Sequence, residues 1–388
     1  MSRYKEDILE AKERLSAWWD HELIDRPCLS FWTPKSGVKL KDLGNPLDYF
    51  DPFFLAEYWS AIDKALDDFE RFSAFYQFGG EAIPRFFPNY GAGIMASVFG
   101  IEPKFQTRTV WFQRETSVKE IINLLEEVKL NDNNPWYKRL IQVTETAAKR
   151  GASNFCVAIT DLGGILDILS SFLGPIKVIV TMKRNPDLIN ACRMVILEKW
   201  MSVYAVLQDI IQKYGEGFNS WMNIWCPKRW YPLQSDFSAF LNPKWFKEFV
   251  LPDIKYQAEH IDYSIYHLDG LDALKHLDDI LNIDSLDGIQ WVPGAGKPLR
   301  SSDQWMFIYK KIQEAGKSVI IDNFEQPERV AHFYKVLDPK LLFTTLVIPD
   351  NVRAAFILPT FMGGLEGKGN FREFKREYRG KRINKNGE

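Results

Sequence analysis

The 388-residue chain lacks most of the features that place a protein in a class at first sight. It has only four cysteines, and none of them forms a CxxC pair or the spacing of a disulfide framework. No uninterrupted apolar run reaches the ~20 residues that a membrane-spanning helix needs. The first residues, MSRYKEDILEAKERL, are charged and lack the apolar centre of a signal peptide. We therefore expect a cytoplasmic protein with reduced thiols and no attachment to a membrane.

Common catalytic motifs are missing as well. GxSxG, HExxH and zinc-finger spacings of cysteine and histidine do not occur, and no GxGxxG follows the first predicted strand. The segment PGAGKPL differs from a phosphate-binding loop because Pro298 follows Lys297, so a tight turn is the better interpretation. The net charge of -2 gives no general attraction to nucleic acid or to acidic membranes. We expect no nucleic-acid partner.

Apolar and aromatic residues are plentiful. The chain is 46% hydrophobic and 14% aromatic, which is enough to bury a large core. A chain of this length is typical of one large α/β domain or of two smaller ones. Eight apolar, β-rich segments alternate with helical sequence, as expected for parallel strands that are covered on both faces. They comprise residues 27–33, 73–79, 155–161, 220–226, 263–269, 288–292, 317–322 and 341–345.

This alternation predicts an α/β fold, a (β/α)8 TIM barrel. A doubly wound open sheet is the alternative. We expect an N-terminal helix at 2–20, a helix at 51–72, an insertion at 80–116 with a hairpin, and a last helix at 350–361. The barrel would be a single domain over 1–365. Residues 366–388 form a basic polar tail.

In a (β/α)8 barrel the active site forms at the carboxyl ends of the strands, so polar and aromatic residues there are the candidate site residues. Those that close or follow the predicted strands are Asp161, Trp225, Arg229, Asp236, His267, Asp269, Trp291 and Glu325. The stretch YHLDG stands out because His267 and Asp269 are two residues apart on one predicted strand and point to the same side. An imidazole beside a carboxylate suits proton transfer, metal binding or the orientation of a polar substrate. Capping of backbone donors at the strand end is the equally simple alternative.

The C-terminal half resembles the uroporphyrinogen decarboxylase superfamily. The segments FLNPKWFKEFVLPDIKYQ, YHLDG and GIQWVPGAGKP carry the resemblance, and FPNYGAGIMASVFG and TDLGGILDILSSFLG are similar to its branch labelled trimethylamine corrinoid protein 2. The resemblance implies a barrel of the uroporphyrinogen decarboxylase type, with its site at the strand ends and a tendency to form homodimers. It also implies one of two chemistries, porphyrinogen decarboxylation or corrinoid-linked methyl transfer.

The chain differs from the motifs of both groups of enzymes at specific positions. The decarboxylases carry an early R-Q-A-G-R loop, whereas this chain reads FWTPKSGVKL. The methyltransferases hold zinc with an H-x-C motif on strand 5 and a later cysteine near strand 8. His267 matches that histidine, but Asp269 stands in place of the cysteine, and LLFTTLVIPD has none. The resemblance thus implies zinc at His267 and Asp269, while the missing cysteines favour a harder, oxygen-rich site over one that activates a thiol.

Three functions follow as hypotheses. The first is a component of one-carbon metabolism that moves a methyl group between a small methylated substrate and a corrinoid carried by a partner protein. His267, Asp269 and Asp161 would be catalytic, and Trp225, Arg229, Asp236, Trp291 and Glu325 would bind the substrate. The second is a cofactor-independent decarboxylase or lyase, with Arg229 anchoring a small carboxylate and Asp161 or Asp269 donating a proton. The third is a ligand-binding barrel without catalysis.

Overall fold

The computed structural model describes residues 2–35, 37–38, 61–106, 109–152 and 154–348. Within these ranges the chain forms thirteen α-helices and eleven strands. The helices are α1 (Ile8–Trp19), α2 (Ile62–Phe75), α3 (Met95–Val98), α4 (Ile121–Glu127), α5 (Pro135–Gly151), α6 (Ile165–Leu173), α7 (Pro175–Arg184), α8 (Pro186–Tyr214), α9 (Pro243–Phe249), α10 (Leu251–Glu259), α11 (Leu277–Leu281), α12 (Met306–Glu314) and α13 (Val330–Val336). The strands are β1 (Leu29–Pro34), β2 (Tyr76–Gly80), β3 (Arg85–Phe86), β4 (Lys104–Gln106), β5 (Thr109–Trp111), β6 (Cys156–Val157), β7 (Trp230–Gln234), β8 (Tyr263–Asp269), β9 (Gly288–Val292), β10 (Ser318–Ile321) and β11 (Leu342–Val347).

Seven strands form one mostly parallel sheet in the order β2-β1-β11-β10-β9-β8-β7. In this order, each strand from β1 through β11, β10, β9 and β8 to β7 is parallel to its neighbour. The edge strand β2 pairs antiparallel with β1. Because helices connect the parallel strands, their carboxyl ends lie at one edge of the sheet. The α/β class is therefore confirmed.

The sheet differs from a closed ring of eight parallel strands in two ways. The predicted second strand starts later than expected, since α2 continues through Phe75, and it pairs antiparallel. The predicted third strand shrinks to β6, which pairs with β3 in a separate two-stranded sheet. A single parallel bridge between Ala158 and Asn219 continues from that sheet.

The predicted strand at 220–226 was wrong. Side chains tie its backbone into turns: Asn219 accepts from the Ser220 amide at 2.8 Å, and the Ser220 hydroxyl accepts from the Met222 amide at 3.2 Å. Asn223 has a left-handed φ of 57°, which an extended strand does not allow. The fourth strand is instead β7, which begins at Trp230.

The remaining predicted segments agree with the structure to different extents. The helix predicted at 2–20 is shorter in the structure, where α1 begins at Ile8 and ends at Trp19. The insertion at 80–116 contains the hairpin of β4 and β5. However, β3 of the insertion also pairs with β6, so this segment is partly built into the fold. The first part of the predicted helix 51–72, the predicted last helix at 350–361 and the tail 366–388 lie outside the described residues.

The buried core is one continuous cluster of apolar side chains that extends from Tyr4 to Ile348. Among the helices described, no single one has both the length and the apolar composition to cross a membrane. Only α6 and α7 taken together pass that test, and they bend by 104° at the break between them.

Candidate active site at the strand ends

A row of three polar side chains crosses the sheet near its carboxyl edge. Gln234 of β7 is in register with His267 of β8, and His267 is in register with Gln290 of β9. Residues in register on neighbouring parallel strands share a face, and Asp269 lies on that face two residues beyond His267. At the level of these three residues, polar side chains replace the apolar side chains of the strand interiors.

The imidazole of His267 is fixed in orientation by two neighbours. Its Nδ1 lies 2.5 Å from Oε1 of the buried Gln290, and Trp221 meets its ring edge-on at 5.1 Å between centroids. An amide oxygen can only accept, so Nδ1 donates the proton and Nε2 is left with a free lone pair. Such a hydrogen bond is the usual support of a metal-binding or proton-accepting histidine.

Asp236, His267 and Asp269 form a cluster in which one ligand atom from each lies within 4.8 Å of the other two. Asp269 Oδ1 is buried and has no hydrogen-bond partner among the described residues. Burial raises the pKa of Asp269, and the neighbouring Asp236 carboxylate adds to this effect, while His267 and Arg300 oppose it. A buried carboxylate oxygen without a donor calls for a cation or a ligand that donates a hydrogen bond.

Asp236 reaches the cluster because Asp167 of α6 holds the short 3-10 helix Asp236–Phe240. The Asp167 carboxylate accepts hydrogen bonds from the backbone amides of Asp236, at 3.1 Å, and Phe237, at 2.6 Å. Both amides lie at the start of a helical turn, where they have no acceptor within the turn and a carboxylate stabilises it. Burial and the nearby Asp236 carboxylate raise the pKa of Asp167 to about 7.

Asp161 lies behind the cluster in a buried polar network. Its Oδ1 accepts from the Gly163 amide at 2.9 Å, Gln234 Nε2 at 3.2 Å and the Tyr231 hydroxyl at 3.4 Å. Burial nevertheless raises the pKa of Asp161 to about 7, against the stabilising bond from Gly163. This carboxyl can therefore hold or release a proton near neutral pH.

Two glycines of the motif TDLGG let three segments meet beside Asp161. A Cβ on Gly163 would lie 2.5 Å from Gly93 Cα, and one on Gly164 would lie 2.4 Å from the carbonyl oxygen of Gln234 and 2.2 Å from Asp167 Oδ2. Gly163 also has a φ of 77°, which favours glycine. The motif thus serves the construction of the site by close packing.

The cluster fits a divalent cation by its donor set. It offers one imidazole nitrogen with an oriented free lone pair and two carboxylates, one of which has an orphaned oxygen. Zinc accepts such mixed nitrogen and oxygen ligands, and manganese or iron sites use two or more oxygen donors with histidine. No thiolate joins the three, since Cys226, the cysteine nearest in sequence, is buried before β7.

Three of the predicted site residues are not brought to this cluster. Trp225 and Arg229 precede β7, at the amino edge of the sheet, because the fourth strand begins only at Trp230. There Arg229 pairs with Asp209 of α8 at 2.5 Å, and the Trp225 indole donates to the Glu216 carbonyl at 2.9 Å. Trp291 of β9 is in register with Leu268, so it lies on the opposite face from His267.

Glu325 lies near the site but is fully used by the chain. Its carboxylate accepts from the backbone amides of Arg300 and Ser301, both at 3.2 Å, and from the Ser301 hydroxyl at 2.9 Å. It therefore holds the loop after β9, with each oxygen accepting at least one hydrogen bond from that loop. Of the predicted residues, the structure brings together Asp161, Asp236, His267 and Asp269.

Five side chains around the candidate site were not among the predicted site residues. They are Trp221, Tyr231, Gln234, Gln290 and Arg300. Gln290 was visible as the residue before Trp291 in the strand-end pair QW, and Gln234 would have followed from the correct position of β7. Trp221 and Arg300 lie in loops, and nothing in the local pattern marks them.

The fold resembles that of a methyltransferase from Methanosarcina mazei. The TM-score is 0.54 at 11% sequence identity, and the match covers 88% of this chain and 94% of that chain. At this identity the likeness shows a common fold and leaves activity open. Comparisons of the sequence with known protein families and with curated proteins find no match. The chain thus has an α/β fold like that of this methyltransferase.

Proposed function

We propose that the protein transfers a methyl group between a small methylated substrate and the cobalt of a corrinoid carried by a separate protein. The observation that carries the proposal is the cluster of Asp236, His267 and Asp269 at the carboxyl edge of a methyltransferase-like fold. The motif resemblance points to the same chemistry. The expected partners are therefore a small molecule and a corrinoid protein.

The cluster would hold a divalent cation, zinc or a harder metal, through Asp236, His267 and Asp269. When bound, the cation supplies Lewis acidity that stabilises negative charge on the substrate heteroatom. Gln290 holds His267 through Nδ1 and leaves Nε2 available to a cation, and Asp167 keeps Asp236 within reach. The sequence assigned Asp236 to substrate binding and His267 and Asp269 to catalysis. In this proposal all three are ligands of the same cation.

Methyl transfer breaks the bond between the methyl carbon and the substrate heteroatom and forms a carbon–cobalt bond. Cobalt(I) supplies the electron pair of the new bond, and the heteroatom keeps the pair of the broken bond. An ether, a thioether or a neutral amine then takes up a proton, whereas an ammonium nitrogen leaves as the neutral amine. Asp161 is suited to supply that proton, since its pKa of about 7 leaves it partly protonated at neutral pH. In the reverse direction the same carboxylate would accept the proton.

The test is spectroscopic. Purified protein is mixed with a reduced corrinoid carrier protein and a panel of methylated amines, thiols and ethers, and the absorbance of cobalt(I) is followed as it converts to methyl-cobalt(III). We expect conversion with at least one donor and its loss in His267→Ala. No conversion with any donor, or full activity of His267→Ala, would show the proposal to be wrong.

A cofactor-independent decarboxylase or lyase is the second candidate, and Asp161 favours it. A buried carboxyl with a pKa near 7 is a suitable proton donor to a carbanion after loss of carbon dioxide. Release of carbon dioxide from a panel of small carboxylates, abolished by Asp161→Asn, would support this candidate. A barrel that binds ligands without catalysis would show neither reaction.

We also propose that the seven-stranded sheet, the pair β3 and β6 and the bridge from Ala158 to Asn219 belong to one (β/α)8 barrel of the uroporphyrinogen decarboxylase type. Two observations support the barrel. The strands β1, β11, β10, β9, β8 and β7 are neighbours in one parallel arrangement, and β3 pairs parallel with β6. A single domain over 1–365 and a homodimer with facing clefts complete the proposal. Light scattering on the purified protein measures the oligomeric state.

A further inference from the structure

The loop that follows β9 carries an arginine whose charge is only partly used. Arg300 Nη1 lies 3.0 Å from the Asp322 carbonyl oxygen and 3.4 Å from Asp322 Oδ2. For Nε and Nη2, the described parts of the chain provide no hydrogen-bond acceptor. One edge of the guanidinium, with two donors side by side, is therefore free for a planar acceptor such as a carboxylate.

The chain holds this loop in place from several sides. Glu325 binds the backbone amides of Arg300 and Ser301, the Tyr309 hydroxyl donates to the Arg300 carbonyl at 2.7 Å, and Arg329 donates to the Ser301 carbonyl at 2.7 Å. A surface loop rarely needs this many fixed backbone groups. Such fixation lowers the entropy lost when a side chain on the loop binds a ligand.

Arg300 lies close to the candidate site, since its charge acts on Asp269 and its Nη1 contacts Asp322. Asp322 directly follows β10, where the register of Ile320 with Gln290 places residue 322 on the face of Asp269. The Asp322 Oδ1 and Asp269 Oδ1 atoms are both buried and lack partners among the described residues. The site therefore offers a free guanidinium edge next to two carboxylate oxygens that need a donor or a cation.

From this arrangement, and resting on the proposed methyl transfer, we infer that the substrate is a small zwitterion with a carboxylate and a methylated ammonium group. Arg300 binds the carboxylate in bidentate fashion, and Asp322, whose Oδ1 has no partner among the described residues and which is not one of the three proposed metal ligands, receives the cationic, methyl-bearing end. Arg300 is thus a specificity-determining residue, and Glu325 is a positioning residue that acts through it. A purely cationic methylated amine would leave the guanidinium edge unpaired.

Equilibrium binding tests this inference without the corrinoid. Titration calorimetry compares N,N-dimethylglycine with N,N-dimethylethylamine, which has a methyl group in place of the carboxylate. We expect the zwitterion to bind about 10- to 100-fold more tightly, the range of a charged bidentate pair. This preference should vanish in Arg300→Gln. It should shrink in Arg300→Lys, which keeps the positive charge but lacks the two parallel N–H donors of the guanidinium.

Arg229→Gln is the matched control, because Arg229 also pairs with a carboxylate but lies at the amino edge of the sheet. It should keep the preference, and thermal unfolding should show that all variants are folded. Titrations are run with zinc and again with a chelator. Equal affinity of the two probes, no binding of N,N-dimethylglycine, or a preference that survives in Arg300→Gln would each overturn the inference. Because cobalt is absent, these results are separate from failure of the methyl-transfer assay.

Discussion

At the scale of single residues, the candidate site depends on how neighbouring groups control the protonation and hydrogen bonding of three side chains. Gln290 fixes the tautomer of His267, burial keeps Asp161 partly protonated, and Asp269 keeps an oxygen without a donor. Sequence predicted His267, Asp269 and Asp161 because they end apolar strands. It could not predict Gln290 as the partner of His267, because that pairing depends on the register between two strands.

Replacement of Gln290 should weaken metal binding without touching a ligand. Gln290→Leu removes the acceptor for His267 Nδ1, so the imidazole loses its fixed tautomer and orientation. We expect the dissociation constant for zinc to rise about 10- to 100-fold, measured by competition with a chromophoric chelator. Gln212→Leu, at the amino edge beside Arg229, is the control and should leave it unchanged. Unaltered affinity in Gln290→Leu would argue against His267 as a ligand.

Asp161 predicts a specific dependence of stability on pH. In the folded protein its pKa is about 7 instead of the usual 3.8, so between these values the unfolded chain releases a proton that the folded chain retains. This group therefore lowers the free energy of unfolding as pH rises from 4 to 7. Asp161→Asn removes the effect while its oxygen can still accept the bonds from Gly163 and Tyr231.

Relative to the original protein, Asp161→Asn should gain stability as pH rises across this window, by on the order of 3 kcal/mol in total. Urea unfolding at a series of pH values, with a chelator present, measures the change. A stability difference that does not vary between pH 4 and pH 7 would show that Asp161 has an ordinary pKa.

At the scale of elements, close packing between α6 and the segment after β7 builds the site. The helices α6 and α8 are marked in the sequence itself, because α6 ends at Gly-Pro and the long α8 begins at Asn-Pro. The sequence pattern misplaced the fourth strand, since SWMNIWC is apolar enough for a strand. Only the turn chemistry of Asn219, Ser220 and Asn223 keeps this segment irregular.

Gly164→Ala should strain this contact. The added methyl group would lie 2.2 Å from Asp167 Oδ2 and 2.4 Å from the Gln234 carbonyl oxygen, so the backbone must shift. We expect the free energy of unfolding to fall by about 1–3 kcal/mol in denaturant titrations. Gly215→Ala is the control, because its Cβ would meet only the Ile211 carbonyl oxygen at 3.5 Å. Equal stability of the two variants would refute the close approach at Gly164.

Asp167→Ala should loosen the segment that carries Asp236. The amides of Asp236 and Phe237 lose their acceptor, and we expect their hydrogen exchange to become about tenfold faster or more. Asp338→Ala removes a similar cap from the Lys340 amide and should leave both amides as they were. Unchanged exchange at Asp236 in Asp167→Ala would mean that other contacts hold the segment.

At the scale of the whole molecule, repeated strand–helix alternation predicted the α/β class and the edge of the sheet where the site lies. It could not predict the antiparallel β2 or the short β3 and β6 pair, because strand direction and length depend on contacts between distant segments. The same limit explains Trp225 and Arg229, which were assigned to the site through a misplaced strand and lie at the opposite edge.

The central claim is that Asp236, His267 and Asp269 bind one divalent cation as the core of a methyl-transfer site. Metal content per chain, measured by mass spectrometry after dialysis against zinc or manganese, tests it most directly. We expect one ion per chain in the original protein and in His332→Ala, an exposed histidine paired with Asp303 outside the cluster. His267→Ala and Asp236→Asn should retain no ion. A chain that binds no metal at all, or keeps it in both cluster variants, would contradict the claim.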